Sequence, residues 1–205
     1  MTRWYTEKKH EHFYKQAKQN GYRARSAYKL KQIQKKYNII NKNDTILDLG
    51  AAPGGWSQIA QQLTGDKGKV VGVDLLPIRP IPGIIFIQGD MTQDETLELI
   101  KKQIPNQKAD IVISDMSPDI SGNYDVDQAR SIYLCEKALQ TARVFLKNGG
   151  CFICKAFEGA DLEDFITLVK NYFKSVKRFS PQASRKSSSE IYIIGKNFRK
   201  SCLSQ

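Results

Sequence analysis

Histidine and cysteine are scarce in this chain of 205 residues, two of the first and four of the second. His10 and His12 lie in a polar segment without matching ligands, so no metal site is expected. Cys151 and Cys154 have the spacing of redox and metal motifs, but they sit in the apolar run Gly150-Cys151-Phe152-Ile153-Cys154. That run reads as a strand, and side chains three apart on a strand point to opposite faces. The pair therefore reads as small core residues. Long apolar runs are also missing: nothing approaches the roughly 18 residues that a membrane-spanning helix needs. The N-terminal stretch lacks the apolar segment of a secretory signal. It also carries Glu7 and Glu11 without the amphipathic Arg/Ser pattern of a transit peptide, so the expected location is cytoplasmic.

Acidic residues are nearly absent from the two ends of the chain. The net charge is +11, and residues 1–37 hold eleven Lys/Arg against two Glu. Residues 38–173 reverse the balance, with thirteen basic and eighteen acidic side chains. Residues 174–186 then add Lys174, Lys177, Arg178, Arg185 and Lys186 with no acid. Basic segments flanking an acidic centre suit arms that grip a polyanion, RNA or DNA. An acidic membrane surface fits less well, because no amphipathic apolar face accompanies the charge.

The length suits one domain with a substantial core, and no internal repeat or domain boundary is visible across residues 1–205. A basic, helical N-terminal segment covers about residues 1–40. It is best defined from Ala27, with Tyr28, Leu30 and Ile33 on one face and Ser26 as N-cap. Short apolar runs then alternate with helical stretches. Strands are expected at Thr45–Leu49, Val70–Asp74, Ile84–Ile87, Ile111–Ser114 and Cys151–Cys154. Helices are expected at 56–64, 94–104, 126–146 and 161–173, the last capped by Asp161. Near-continuous apolar strands interleaved with helices predict a doubly wound, mostly parallel α/β sheet. Beyond residue 173 two strands follow with no helix between, Val176–Ser180 and Ile191–Ile194. They predict a closing hairpin and an antiparallel edge strand.

The turn after the first strand reads Asp48-Leu49-Gly50-Ala51-Ala52-Pro53-Gly54-Gly55-Trp56. Small residues there let a ligand lie against the backbone where strand passes to helix. The dinucleotide fingerprint fails, because its second glycine is replaced by Ala52. A compact turn without a phosphate cradle suits a nucleoside ligand such as S-adenosylmethionine, which carries no phosphate. Asp74 ends the second strand, Asp90 follows the third and Asp115 ends the fourth. Three acids at successive strand ends converge on the crevice where open sheets bind ligands. Asp74 is placed for ribose hydroxyls and Asp90 for the adenine amino group.

These segments resemble the FtsJ/RrmJ family of RNA ribose 2′-O-methyltransferases. Asp48 to Ser57 (DLGAAPGGWS) resembles the family's cofactor loop nearly letter for letter. Ile113 to Gly122 (ISDMSPDISG), Arg23 to Leu30 (RARSAYKL), Cys154 to Phe157 (CKAF) and Arg185 to Glu190 (RKSSSE) resemble its other motifs in family order. Asp119 departs from the pattern, where an Asn is frequent in the bacterial ribosomal enzymes. The resemblance implies a Rossmann-like class I methyltransferase with a seven-stranded sheet, one strand antiparallel and helices on both faces. It implies S-adenosylmethionine as donor, S-adenosylhomocysteine as product and no metal. By motif it implies a Lys29, Asp115, Lys155, Glu190 tetrad, and cofactor contacts from Gly54, Trp56, Asp74, Asp90 and Asp115.

The chemistry of these residues agrees with that assignment. A ribose hydroxyl is a poor nucleophile and must lose its proton as the methyl arrives. Lys155, at the end of an apolar strand, is the expected base. Lys29 would supply a neighbouring positive charge, with Asp115 and Glu190 orienting the amines. Tyr22 or Tyr28 would either stack on a base or pack in the core. The expected acceptor is a uridine of large-subunit (23S-type) ribosomal RNA, methylated by a monomer, within the large ribosomal subunit. The transfer-RNA anticodon loop is the nearest alternative. A non-catalytic ribosome-assembly factor and a nicotinamide dehydrogenase are disfavoured by the intact tetrad and by the broken glycine fingerprint.

Overall fold

The computed structural model describes residues 15–183 and 189–200. His10, His12, Arg185, Lys186, Cys202 and residues 1–14 of the basic N-terminal segment lie outside them. The elements run α1 (Ala27–Tyr37), β1 (Thr45–Leu49), α2 (Gly55–Thr64), β2 (Lys69–Asp74), β3 (Ile84–Gln88), α3 (Asp94–Gln103), β4 (Ala109–Ser114), α4 (Tyr124–Phe145), β5 (Leu146–Phe157), α5 (Leu162–Lys170), β6 (Phe173–Phe179) and β7 (Glu190–Phe198). One seven-stranded sheet has the order β3-β2-β1-β4-β5-β7-β6. The five strands from β3 to β5 are parallel, and β7 is antiparallel to both of its neighbours.

The antiparallel strand is not at the edge, as the sequence suggested. Ile191, Tyr192, Ile193 and Ile194 are all buried, and so apolar a strand needs neighbours on both sides. β6 carries the exposed Lys174, Lys177 and Arg178 and takes the edge, where charge discourages further pairing. Period-two alternation divides the core between the two faces of the sheet. Leu47 and Leu49 pack with α3, α4 and α5. Ile46 packs with Leu30 and Ile33 of α1 and with Trp56 and Ile59 of α2. Cys154 belongs to the first face and Cys151 packs on the second, so the two thiols are separated by the sheet.

Helix ends depart from expectation where capping differs. Ser26 and Asp161 make no side-chain cap, since both already hold helical backbone angles. Asn123 caps instead, accepting from the amides of Asp125 and Val126, and α4 starts two residues earlier than expected.

Candidate active site

Parallel strands bring their carboxyl ends to one edge of the sheet, and the functional candidates gather there. Gly50 leaves β1 with φ +72°, and a Cβ on it would lie 2.2 Å from Cγ of Met116 in the loop after β4. Only glycine lets these two loops close on one another. Below them a cleft of about 490 Å³ is lined by Gly50, Ala52, Asp74, Asp90, Asp115 and Met116, with Tyr133 and Lys137 of α4 on one wall.

The structure thus brings the three strand-end acids to one cavity. Asp74 accepts from the amides of Ala52 and Leu76, both at 2.8 Å, which fixes its carboxylate against the glycine turn. Asp90 accepts from the amide and hydroxyl of Thr92, so it also holds its own turn. A carboxylate has about four lone-pair directions, and these bonds leave acceptor capacity for a ligand. Gly54 and Trp56 are not among the lining residues. A Cβ on Gly54 would instead meet Ile81. The Trp56 indole is buried, donates to the Ser26 carbonyl at 2.9 Å and stacks on Tyr192.

The four residues of the expected tetrad form two pairs. Lys155 donates to the Asp115 carbonyl at 2.7 Å, and its ammonium lies 3.4 Å from the Asp115 carboxylate. Lys29, on α1, is 2.7 Å from the Glu190 carboxylate at the start of β7. Both lysines are buried. Tyr192 joins the pairs, and sequence reasoning missed it. Its hydroxyl donates to Asp115 at 2.5 Å, and the Lys29 ammonium sits 5.8 Å above its ring. Burial and the Asp115 and Glu190 carboxylates push this phenol well above its ordinary pKa, so it remains a donor. The signal was available: Tyr192 lies two residues from Glu190, on the same strand face.

Asp115 belongs to both assemblies, lining the cleft and holding Lys155. Behind it Asp48 is wholly buried. One oxygen accepts from the Ser57 hydroxyl at 2.6 Å and the other has no partner. Burial, and after it the Asp115 and Asp74 charges, raise its pKa to about 7.

Two other expectations change. Arg23, counted among the basic residues of a gripping arm, donates to the carbonyls of Pro53, Arg79 and Pro80 and ties the glycine turn to the loop after β2. Tyr22 and Tyr28 pack edge to face, 5.7 Å apart, with Tyr28 buried. The Lys31 ammonium sits 4.7 Å from the centroid of the Tyr22 ring, so both rings already have partners within the fold. Among the described residues no cluster of His, Cys, Asp or Glu could hold a metal, and no helix is long and apolar enough to cross a membrane.

A sequence model of the FtsJ-like methyltransferase family matches residues 22–198. A curated relative from Methanothrix thermoacetophila, named ribosomal RNA large subunit methyltransferase E, is 54% identical over 186 residues, 91% of this chain and 72% of the relative. A relative of the same name from Methanocaldococcus jannaschii is 47% identical over 96% of this chain and 82% of its own. Among solved structures, a ribosomal RNA methyltransferase from Plasmodium falciparum superposes with a TM-score of 0.78 at 32% identity, covering 86% of this chain and 98% of that one. An S-adenosylmethionine-dependent O-methyltransferase from Thermotoga maritima shares the fold at 13% identity, with a TM-score of 0.56 over 83% of this chain and 65% of its own. The family match includes the glycine turn, all three strand-end acids and both lysine–carboxylate pairs, and the chain belongs to the FtsJ-like methyltransferases.

Proposed function

We propose that this enzyme transfers the methyl group of S-adenosylmethionine to a ribose 2′-oxygen in large-subunit ribosomal RNA. The observation that carries the reading is the buried Lys155 amine held on Asp115, the residue that also lines the ligand cleft. The cleft fits a cationic nucleoside: its size is within the range of small-molecule sites, and three carboxylates line it. Asp74 would accept from the ribose hydroxyls and Asp90 from the adenine amine. Bound there, S-adenosylmethionine supplies an electrophilic methyl group.

The remaining work falls to this chain's own side chains. Lys155, in its neutral amine form, would take the proton of the attacking hydroxyl as the carbon–oxygen bond forms and the methyl–sulfur bond breaks, with S-adenosylhomocysteine as the leaving group. Asp115 would hold the resulting ammonium through its carbonyl and carboxylate. The Lys29–Glu190 pair, braced on the Tyr192 ring, would fix the acceptor ribose. The basic residues at α1 and along the β6 edge, Lys31, Lys35, Lys174 and Lys177 among them, would hold the RNA backbone. The large-subunit assignment draws on the names of the relatives.

Incubation with labelled S-adenosylmethionine and either large ribosomal subunits or transfer RNA tests this reading. Label on a ribose of large-subunit RNA is expected. Label on the transfer-RNA anticodon loop would move the acceptor, and label on neither would leave an RNA-binding assembly factor.

A further inference from the structure

The stacking residues expected from sequence are committed elsewhere, yet a methyltransferase acting on one ribose must also place that ribose's base. Large apolar side chains exposed beside the acceptor site are therefore informative. Ile120 is 65% exposed and Tyr124 58% exposed. They stand on the loop that leaves Asp115 and on the first residue of α4.

Tyr124 is tied to the strands that carry the tetrad. Its hydroxyl donates to the Glu158 carbonyl at 2.6 Å, just past the end of β5 and three residues beyond Lys155. The Glu158 amide in turn donates to the Ser189 carbonyl at 2.7 Å, next to Glu190. Phe157 and Glu190 face one another across the β5–β7 ladder. Three residues of extended chain span about 10 Å, so the carbonyl that holds the ring lies within about 10 Å of the Lys155 backbone.

The loop beneath it is equally constrained. Asp127 accepts from the amide and hydroxyl of Ser121 at 2.7 Å and from the Gly122 amide at 3.2 Å. Arg130 donates to the Asp119 carbonyl. These bonds fix a residue that is more than half exposed, so little ordering entropy would remain to be lost on binding.

We infer that Tyr124, flanked by Ile120, is the platform on which the target nucleobase stacks once it has left its own helix or loop, bringing its ribose to Lys155. The inference rests on the methyl-transfer reading above. It assigns the acceptor as an unpaired nucleotide, because a base inside a helix has no free face to offer.

Tyr124→Phe and Tyr124→Leu separate stacking from bracing. Phe loses the bond to Glu158 but keeps the ring; Leu keeps bulk without the ring. Rates on large ribosomal subunits are compared with affinity for S-adenosylhomocysteine. Tyr124→Phe is expected within about threefold of wild type. Tyr124→Leu should lose about 10- to 100-fold in kcat/KM for RNA, the usual effect of losing one stacked base, with product affinity unchanged. Tyr124→Trp should retain activity, and it serves as the second variant if the leucine protein does not fold. A Phe variant as impaired as the Leu variant would make the tyrosine a brace and overturn the platform, as would a Leu variant with wild-type rates. Lys155→Ala is measured alongside. If it is inactive while Tyr124→Leu is normal, the platform alone fails; if it remains active, the underlying assignment fails and the platform with it.

Discussion

Lys155 and Tyr192 are register partners on adjacent antiparallel strands, so their side chains stand side by side on one face of the sheet. Both reach Asp115, Lys155 at its carbonyl and Tyr192 at its carboxylate. Tyr192→Phe removes only the second contact. Hydrogen bonds to charged groups contribute about 1.5–3 kcal/mol, and 1.4 kcal/mol is tenfold in rate. Methyl transfer should slow about 10-fold or more, with product affinity changed less. Single-turnover kinetics with a parallel titration of S-adenosylhomocysteine would separate the two effects.

Lys29 is buried and Glu190 is mostly so, and removing Glu190 takes from the Lys29 ammonium the carboxylate that it holds at 2.7 Å. Breaking a buried pair costs about 3–5 kcal/mol, whereas replacing both members with apolar residues costs far less. Glu190→Leu should therefore lower the unfolding free energy more than Glu190→Leu combined with Lys29→Met. A denaturant double-mutant cycle reads this coupling, and additive losses would argue that the pair is not an energetic unit.

Asp48 predicts the pH dependence of the apo protein. Its folded-state pKa, about 7, lies above its ordinary value of 3.8, so between these values the folded state holds a proton that the unfolded state has released. Stability then falls as pH rises through that window, and the full loss is present above pH 7. The shift corresponds to an upper bound on the order of 4 kcal/mol. Asp48→Asn cannot ionise. Its melting temperature relative to wild type should climb from pH 4.5 to pH 8, measured without cofactor by scanning calorimetry. A pH-independent difference would place the charge elsewhere.

Gly50→Ala tests the meeting of the two cleft loops. The added Cβ would overlap Met116 and would sit at a positive φ that L side chains rarely adopt. Affinity for S-adenosylhomocysteine should fall at least 10-fold, with a stability loss of about 1–3 kcal/mol. Calorimetric titration gives the first and thermal unfolding the second.

Much of this fold was legible because its signals are local. The apolar runs of β1 to β4 and the helical stretches between them declare a parallel sheet, and the acids at their ends mark the cleft. The tetrad positions were visible through the order of the motifs. What sequence could not show was pairing. Nothing local says that β7 inserts between β5 and β6. That choice follows from burying Tyr192 and its apolar neighbours on both edges and exposing the lysines of β6. Tyr192 itself went unseen for the same reason, since its role exists only once β7 lies beside Lys155. Arg23, Tyr22 and Tyr28 were assigned to RNA by residue type, and Trp56 to the cofactor by motif. The folded chain uses their hydrogen bonds and rings internally, to fasten α1 and the segment before it to the cofactor side of the domain.

Lys155→Ala, assayed with labelled S-adenosylmethionine on large ribosomal subunits, tests the central claim most directly. Lys155 does not line the cleft, so affinity for S-adenosylhomocysteine should stay within a few-fold of wild type. Ribose methylation should fall to background. Substantial residual transfer by this variant would contradict the assignment of Lys155 as the group that takes the hydroxyl proton.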